Sequence, residues 1–183
     1  MLHHLFPFRP VRTALLCLVT AIACLIAPPL SPVAHADQTP PSIAREALLE
    51  MVRANPGKIV FINFFASWCP PCREEIPELV AIRKEYPETA LALIGVALDE
   101  NAAQLASFTA SAGFNYPVYR AEADVPALYG VMSIPHNVVY DTRGRLVVSQ
   151  AGMVDAASLR VFLDAALAEV AKGAAKDAGG ATK

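Results

Sequence analysis

Residues 58–72 read KIVFINFFASWCPPC, and the fold follows from how this stretch divides. Residues 58–65 are apolar, β-branched or aromatic almost throughout, the pattern of a strand covered on both faces. The closing residues place Cys69 and Cys72 on either side of a proline pair. With a helix starting there, Cys69 takes the N-cap, and Pro70 and Pro71 take the first two helical positions, where a missing N–H would be an unpaired donor in any case. Cys72 falls one turn further in. This predicts an exposed attacking sulfur and a shielded resolving one.

A disulfide across so short a loop constrains the unfolded chain little, so chemistry explains the pair better than stability does. Partial positive charge at a helix N-terminus favours the thiolate at Cys69. Its attack on a client disulfide gives a mixed disulfide that Cys72 can release. An N-cap thiolate normally draws on the next few N–H groups, but Pro70 and Pro71 have none and only that of Cys72 remains. The thiolate is then less stabilised, the reduced form less favoured and the pair more reducing. Trp68 either offers a flat apolar surface to the client or simply packs.

On the N-terminal side, the segment from Ser42 has helical apolar spacing until Asn55-Pro56-Gly57 stops it. Residues 1–12 carry Arg9 and Arg12 but no acid, residues 14–27 are uncharged, and Ala34-His35-Ala36 supplies the small residues of a cleavage site. Residues 1–36 thus have the layout of a secretory signal peptide. An uncleaved anchor is the alternative, though the apolar run falls short of the roughly 20 residues a spanning helix needs. Ala21-Ile22-Ala23-Cys24 loosely resembles a lipoprotein processing site. Two of the fifteen basic residues and none of the seventeen acids lie in that segment, so thirteen bases face seventeen acids in the remainder and no nucleic-acid surface is indicated.

On the C-terminal side, a helix runs from the cysteines to about Tyr86, residues 90–98 form a second buried strand, and Asn101 caps a helix to about Ala112. A short strand follows at 116–119, then a short helix capped by Asp124 with Pro126 in its first turn, and a hairpin of 137–141 with 145–150. Asp155 caps a last helix to about Val170, and residues 173–183 read as a disordered tail, leaving 37–172 as the domain. Alternating strands and helices with a terminal hairpin give an α/β fold around a mixed β-sheet flanked by helices.

Trp-Cys-X-Pro-Cys after FINFFAS, with Pro77 five residues past the second cysteine and Ile134-Pro135 before a strand, resembles the thioredoxin superfamily. The resemblance implies a thioredoxin fold, a kink at Pro77, and a cis-proline at Pro135 that faces the dithiol, so that Trp68, Ile134 and Pro135 would meet the client. The additional helix and strand at 101–119, before the cis-proline, together with the signal segment, resemble the TlpA-like branch. That branch includes ResA-type proteins and the CcmG/DsbE-like reductants of cytochrome c maturation. It implies a thiol–disulfide oxidoreductase in the periplasm or cell envelope of a bacterium, acting as a monomer on a disulfide-containing exported client. A membrane thiol electron donor would keep it reduced, and no cofactor beyond the cysteine pair is implied.

Asn63 stands where plain thioredoxins place a buried acid, so proton transfer to Cys72 needs another group. Glu100 falls where TlpA-like relatives often carry an acid near the dithiol, and is the candidate; otherwise it is a helix-start carboxylate. His136 follows the expected cis-proline and reads as a solvent-facing side chain; its alternative roles are to tune the Cys69 thiolate or to join a copper site with the cysteines. A peroxiredoxin fits less well, because Ala66 rather than threonine precedes Cys69 by three. The alternative of another class is a Cu(I)-handling metallochaperone that uses the same two thiolates, although the residues point to no closed metal site.

Overall fold

A computed structural model describes residues 39–179; the signal segment expected at 1–36 and residues 180–183 lie outside them. Strand β1 is Ser42–Ile43, followed by helix α1 at Arg45–Arg53, β2 at Ile59–Phe65, α2 at Pro70–Glu85 and β3 at Leu91–Ala97. Then come α3 at Ala102–Ala112, β4 at Val118–Ala121, α4 at Val125–Leu128, the hairpin β5 His136–Tyr140 with β6 Leu146–Ala151, and α5 at Ala156–Gly179.

The strands form one mixed sheet in the order β1-β4-β3-β2-β5-β6. β1 to β4 run parallel, and β5 lies antiparallel to both β2 and β6. Every residue of β2 is buried, as a central strand covered on both faces requires. Val60, Ile62 and Phe64 pack with Leu48, Val52, Val125 and Tyr129 on one face. On the other, Ile59 and Phe61 pack with Leu79 and Ile82 of α2 and Leu159 and Leu163 of α5. Arg160 of α5 forks onto the Glu85 carboxylate at 2.6 and 2.7 Å, and Tyr86 donates to Asp164 at 2.8 Å, closing the seam between the two helices.

The sheet leaves little room at Gly95, where an added Cβ would meet Val118 Cγ2 at 3.2 Å and Phe65 Cε1 at 3.3 Å. Gly95→Ala is expected to destabilise the fold by about 1–2 kcal/mol through overpacking, read as a lower denaturant midpoint at constant slope.

Two helix caps form as the sequence predicts: Gln104 N donates to Asn101 Oδ1 at 3.1 Å and Ser158 N to Asp155 Oδ2 at 2.8 Å. Other expectations are corrected. Residues 42–43 are strand rather than helix, because the carbonyls of Pro41 and Ile43 accept from Arg120 N and Glu122 N. Asp124 makes no side-chain cap bond. The tail expected to be disordered from residue 173 is helical as far as Gly179. Its alanine-rich composition favours continuing a helix that is already formed.

Candidate active site

The redox pair occupies the junction predicted for it. Cys69 is the N-cap of α2, with Pro70 and Pro71 opening the helix. Cys69 and Cys72 form a disulfide with their Cα atoms 5.3 Å apart, and the Cys72 N–H donates to Cys69 Sγ at 3.3 Å. The Ile134-Pro135 bond is cis, and the Ile134 carbonyl oxygen lies 3.8 Å from Cys69 Sγ. The peptide before the cis-proline therefore flanks the Cys69 sulfur. Pro77 interrupts α2 from within, where it has no N–H to give Arg73.

Exposure differs from expectation at Cys69. Cys69 keeps only 3% of its surface and Cys72 none, because Cys69 packs with Phe65, Ala66, Ile76 and Ile134. Trp68 is 59% exposed beside it. A depression of about 340 Å³ runs between Trp68, Pro70, Arg73 and Glu74, beside the residues that flank Cys69 in sequence. Ile134 is half-buried and Pro135 buried, so of the three expected client contacts Trp68 presents the most surface.

The buried acid of α2 is Glu75, which the sequence reading did not single out. It lies one turn beyond Cys72 on the buried stripe of α2, with Ile76, Leu79 and Ile82. Its carboxylate accepts from Asn63 Nδ2 at 2.8 Å, Asn137 Nδ2 at 2.8 Å and Val154 N at 2.6 Å. Burial pushes the carboxyl up, while the bonds from Val154, Asn137 and Asn63 hold it down. Asn63 also donates to Asn137 Oδ1 at 2.8 Å, and its own Oδ1 is a buried acceptor with no partner among the described residues. The amide at the position of the usual buried acid thus belongs to the shell of an acid supplied by the helix. Helical spacing from Cys72 to Ile76 and Leu79 was the available signal, since a charge on an apolar stripe calls for a partner.

Glu100 is exposed. The preceding residue, Asp99, is the one turned inward: it is 4% exposed, and Ser67 N donates to its two oxygens at 3.0 and 3.2 Å. Ser67 Oγ donates to Asp99 Oδ1 as well.

His136 is corrected too, being buried rather than facing solvent. Ser149 Oγ donates to the Tyr129 carbonyl at 3.1 Å, so at 2.9 Å it accepts from His136 Nε2. Burial lowers the His136 pKa, because desolvation disfavours the charged ring. Among the described residues no helix is long and apolar enough to cross a membrane, and no three His, Cys, Asp or Glu side chains gather around a common point.

The model of the AhpC/TSA family matches residues 47–157. Thioredoxin-like protein YneN of Bacillus subtilis is 33% identical over 91 residues, covering 48% of this chain and 53% of that one. Thiol-disulfide oxidoreductase ResA of Halalkalibacterium halodurans is 26% identical over 114 residues, covering 62% of this chain and 65% of its own. The matches thus span between about half and two thirds of these relatives. Among solved structures, a thiol:disulfide interchange protein of the thioredoxin family from Chlorobium tepidum superposes with a TM-score of 0.58 at 28% identity, covering 63% of this chain and 83% of that one.

Proposed function

The chain belongs to the AhpC/TSA family, on the ResA-like branch of the thioredoxin superfamily, and from that premise we propose that it is an exported thiol–disulfide oxidoreductase that reduces client disulfides in the bacterial cell envelope. The observation that carries this reading is the Cys69–Cys72 disulfide at the start of α2, flanked by the Ile134-cis-Pro135 peptide. Buried Glu75 one turn further along supports it.

In the reduced protein the Cys69 thiolate attacks one sulfur of the client disulfide, forming a mixed disulfide and expelling one client thiolate, which takes a proton from water. The Cys72 thiol passes its proton to Glu75, and the new thiolate attacks Cys69 Sγ. The second client thiolate leaves as the Cys69–Cys72 bond forms. Two electrons have then moved from the protein to the client, and a membrane thiol donor must return them, because the compartment outside the cytoplasm is kept oxidising. Apocytochrome c awaiting its haem is a fitting client. Ala66, fully buried and lacking a hydroxyl, argues for disulfides rather than peroxides as the substrate.

The test offers the reduced full chain a disulfide peptide and a Cu(I) chelate together. One peptide disulfide reduced for each Cys69–Cys72 disulfide formed is the expected result. Intact peptide and one Cu(I) held per chain would replace this function with copper handling.

The raised Glu75 carboxyl also has a pH signature. Because burial raises it above the ordinary 4.5, between that value and the raised one the folded state keeps a proton that the unfolded chain has released. That contribution to stability is fullest below the ordinary value and fades as pH rises through the raised one. Glu75→Gln, which cannot ionise, is expected to flatten this slope in denaturation curves collected across acidic to neutral pH.

A further inference from the structure

We propose that Asp99 is a positioning residue of the redox site, whose buried carboxylate ties residues 67–69 to the sheet and places a fixed negative charge behind Cys69 that keeps the pair reducing. The inference rests on Cys69 and Cys72 being an exchanging pair, and names what sets their poise.

The geometry begins in the parallel register of β2 and β3, where Phe65 stands opposite Ala97. Leu98 N donates to the Phe65 carbonyl at 2.8 Å and ends the backbone ladder. Two residues on, Asp99 stands opposite Ser67, and here a side chain takes over: both Ser67 donors, N–H and hydroxyl, bond its carboxylate. Cys69 N then donates to the Ala66 carbonyl at 3.1 Å, so the loop that carries Trp68 and Cys69 is closed on itself and clamped at its middle. Ala97 packs in the same buried cluster as Cys69 and Cys72, which brings the end of β3 to the dithiol.

Charge placement gives the clamp a chemical consequence. Asp99 is 4% exposed, so little solvent screens it, whereas Arg73 is exposed and stacks on the Phe108 ring, 5.4 Å from its centroid. An anion behind the N-cap opposes the helix N-terminus and disfavours a thiolate at Cys69. A disfavoured thiolate makes the dithiol the better electron donor, the same direction that Pro70 and Pro71 impose.

The experiment equilibrates the full chain with glutathione, in which the protein disulfide and two glutathione thiols exchange for the protein dithiol and one glutathione disulfide. Alkylation and mass measurement read the oxidised fraction. Asp99→Asn, which keeps the shape and an acceptor oxygen but not the charge, is expected to shift the equilibrium toward the dithiol by about tenfold. Asp99→Ser is expected to shift it in the same direction and serves if the amide variant fails to fold. Ser67→Ala keeps the charge and is expected to stay within about twofold of the unsubstituted protein. Charge-free variants that match the unsubstituted protein overturn the proposal, as does a Ser67→Ala shift as large as theirs. A protein that never exchanges with glutathione would instead sink the oxidoreductase reading itself.

Discussion

Cys69→Ala is expected to reduce client disulfides no faster than the uncatalysed background, a loss on the order of 10³-fold or more, while Cys72→Ala loses turnover as completely but accumulates a mixed disulfide. The asymmetry follows from placement. Cys69 is the N-cap beside the Ile134 carbonyl, and it keeps the only exposed surface of the pair. Cys72 has none and is bonded to the sulfur of Cys69. Non-reducing mass measurement after a single addition of a disulfide peptide checks it: the Cys72 variant gains one peptide and the Cys69 variant gains none. The converse pattern would exchange the roles of attacker and resolver.

The second large effect concerns Glu75. Glu75→Ala removes a buried acceptor on which Asn63, Asn137 and the Val154 N–H converge. Asn63 still donates to Asn137 Oδ1, and Asn137 to the Gly152 carbonyl, so the amides keep a partner each. Val154 N is left without this bond, and a cavity opens beside it. A cost of about 2–4 kcal/mol is expected, measured by denaturant unfolding. Glu75→Gln fills the space and costs less, but cannot accept the Cys72 proton. Resolution of a preformed mixed disulfide should then slow on the order of 10²-fold, as loss of a general base does. Equal resolution rates in Glu75→Gln and the unsubstituted protein would remove Glu75 from the mechanism and leave it a packing residue.

Much of this site was legible in residues 58–72, because strand, turn and helix each leave a local mark there: an unbroken apolar run, a cysteine at an N-cap and prolines in the first turn. The cis bond at Pro135 was legible only through the family resemblance. What the sequence concealed was long-range. Glu75 draws its partners from β2, β5 and the segment after β6, separated in sequence and joined only by the sheet order. His136 is buried because β6 pairs with β5 and brings Ser149 to it, which no local pattern reveals. The choice between Asp99 and Glu100 was within reach of strand parity. Gly95, Ala97 and Asp99 alternate onto the face that α2 covers, and Glu100 falls on the other side. β1 spans two residues and carries no period that could have announced it.

The prolines at α2, the Asp99 charge and the single N–H at Cys69 all act on one quantity, the reduction potential of the Cys69–Cys72 pair. It is measured directly by equilibrating the folded full chain with glutathione buffers and reading the oxidised fraction. A value on the reducing side, below about −200 mV, is expected of a protein that donates electrons to client disulfides. A value near about −120 mV, where the pair would take electrons from clients and form disulfides in them, would contradict that direction of flow.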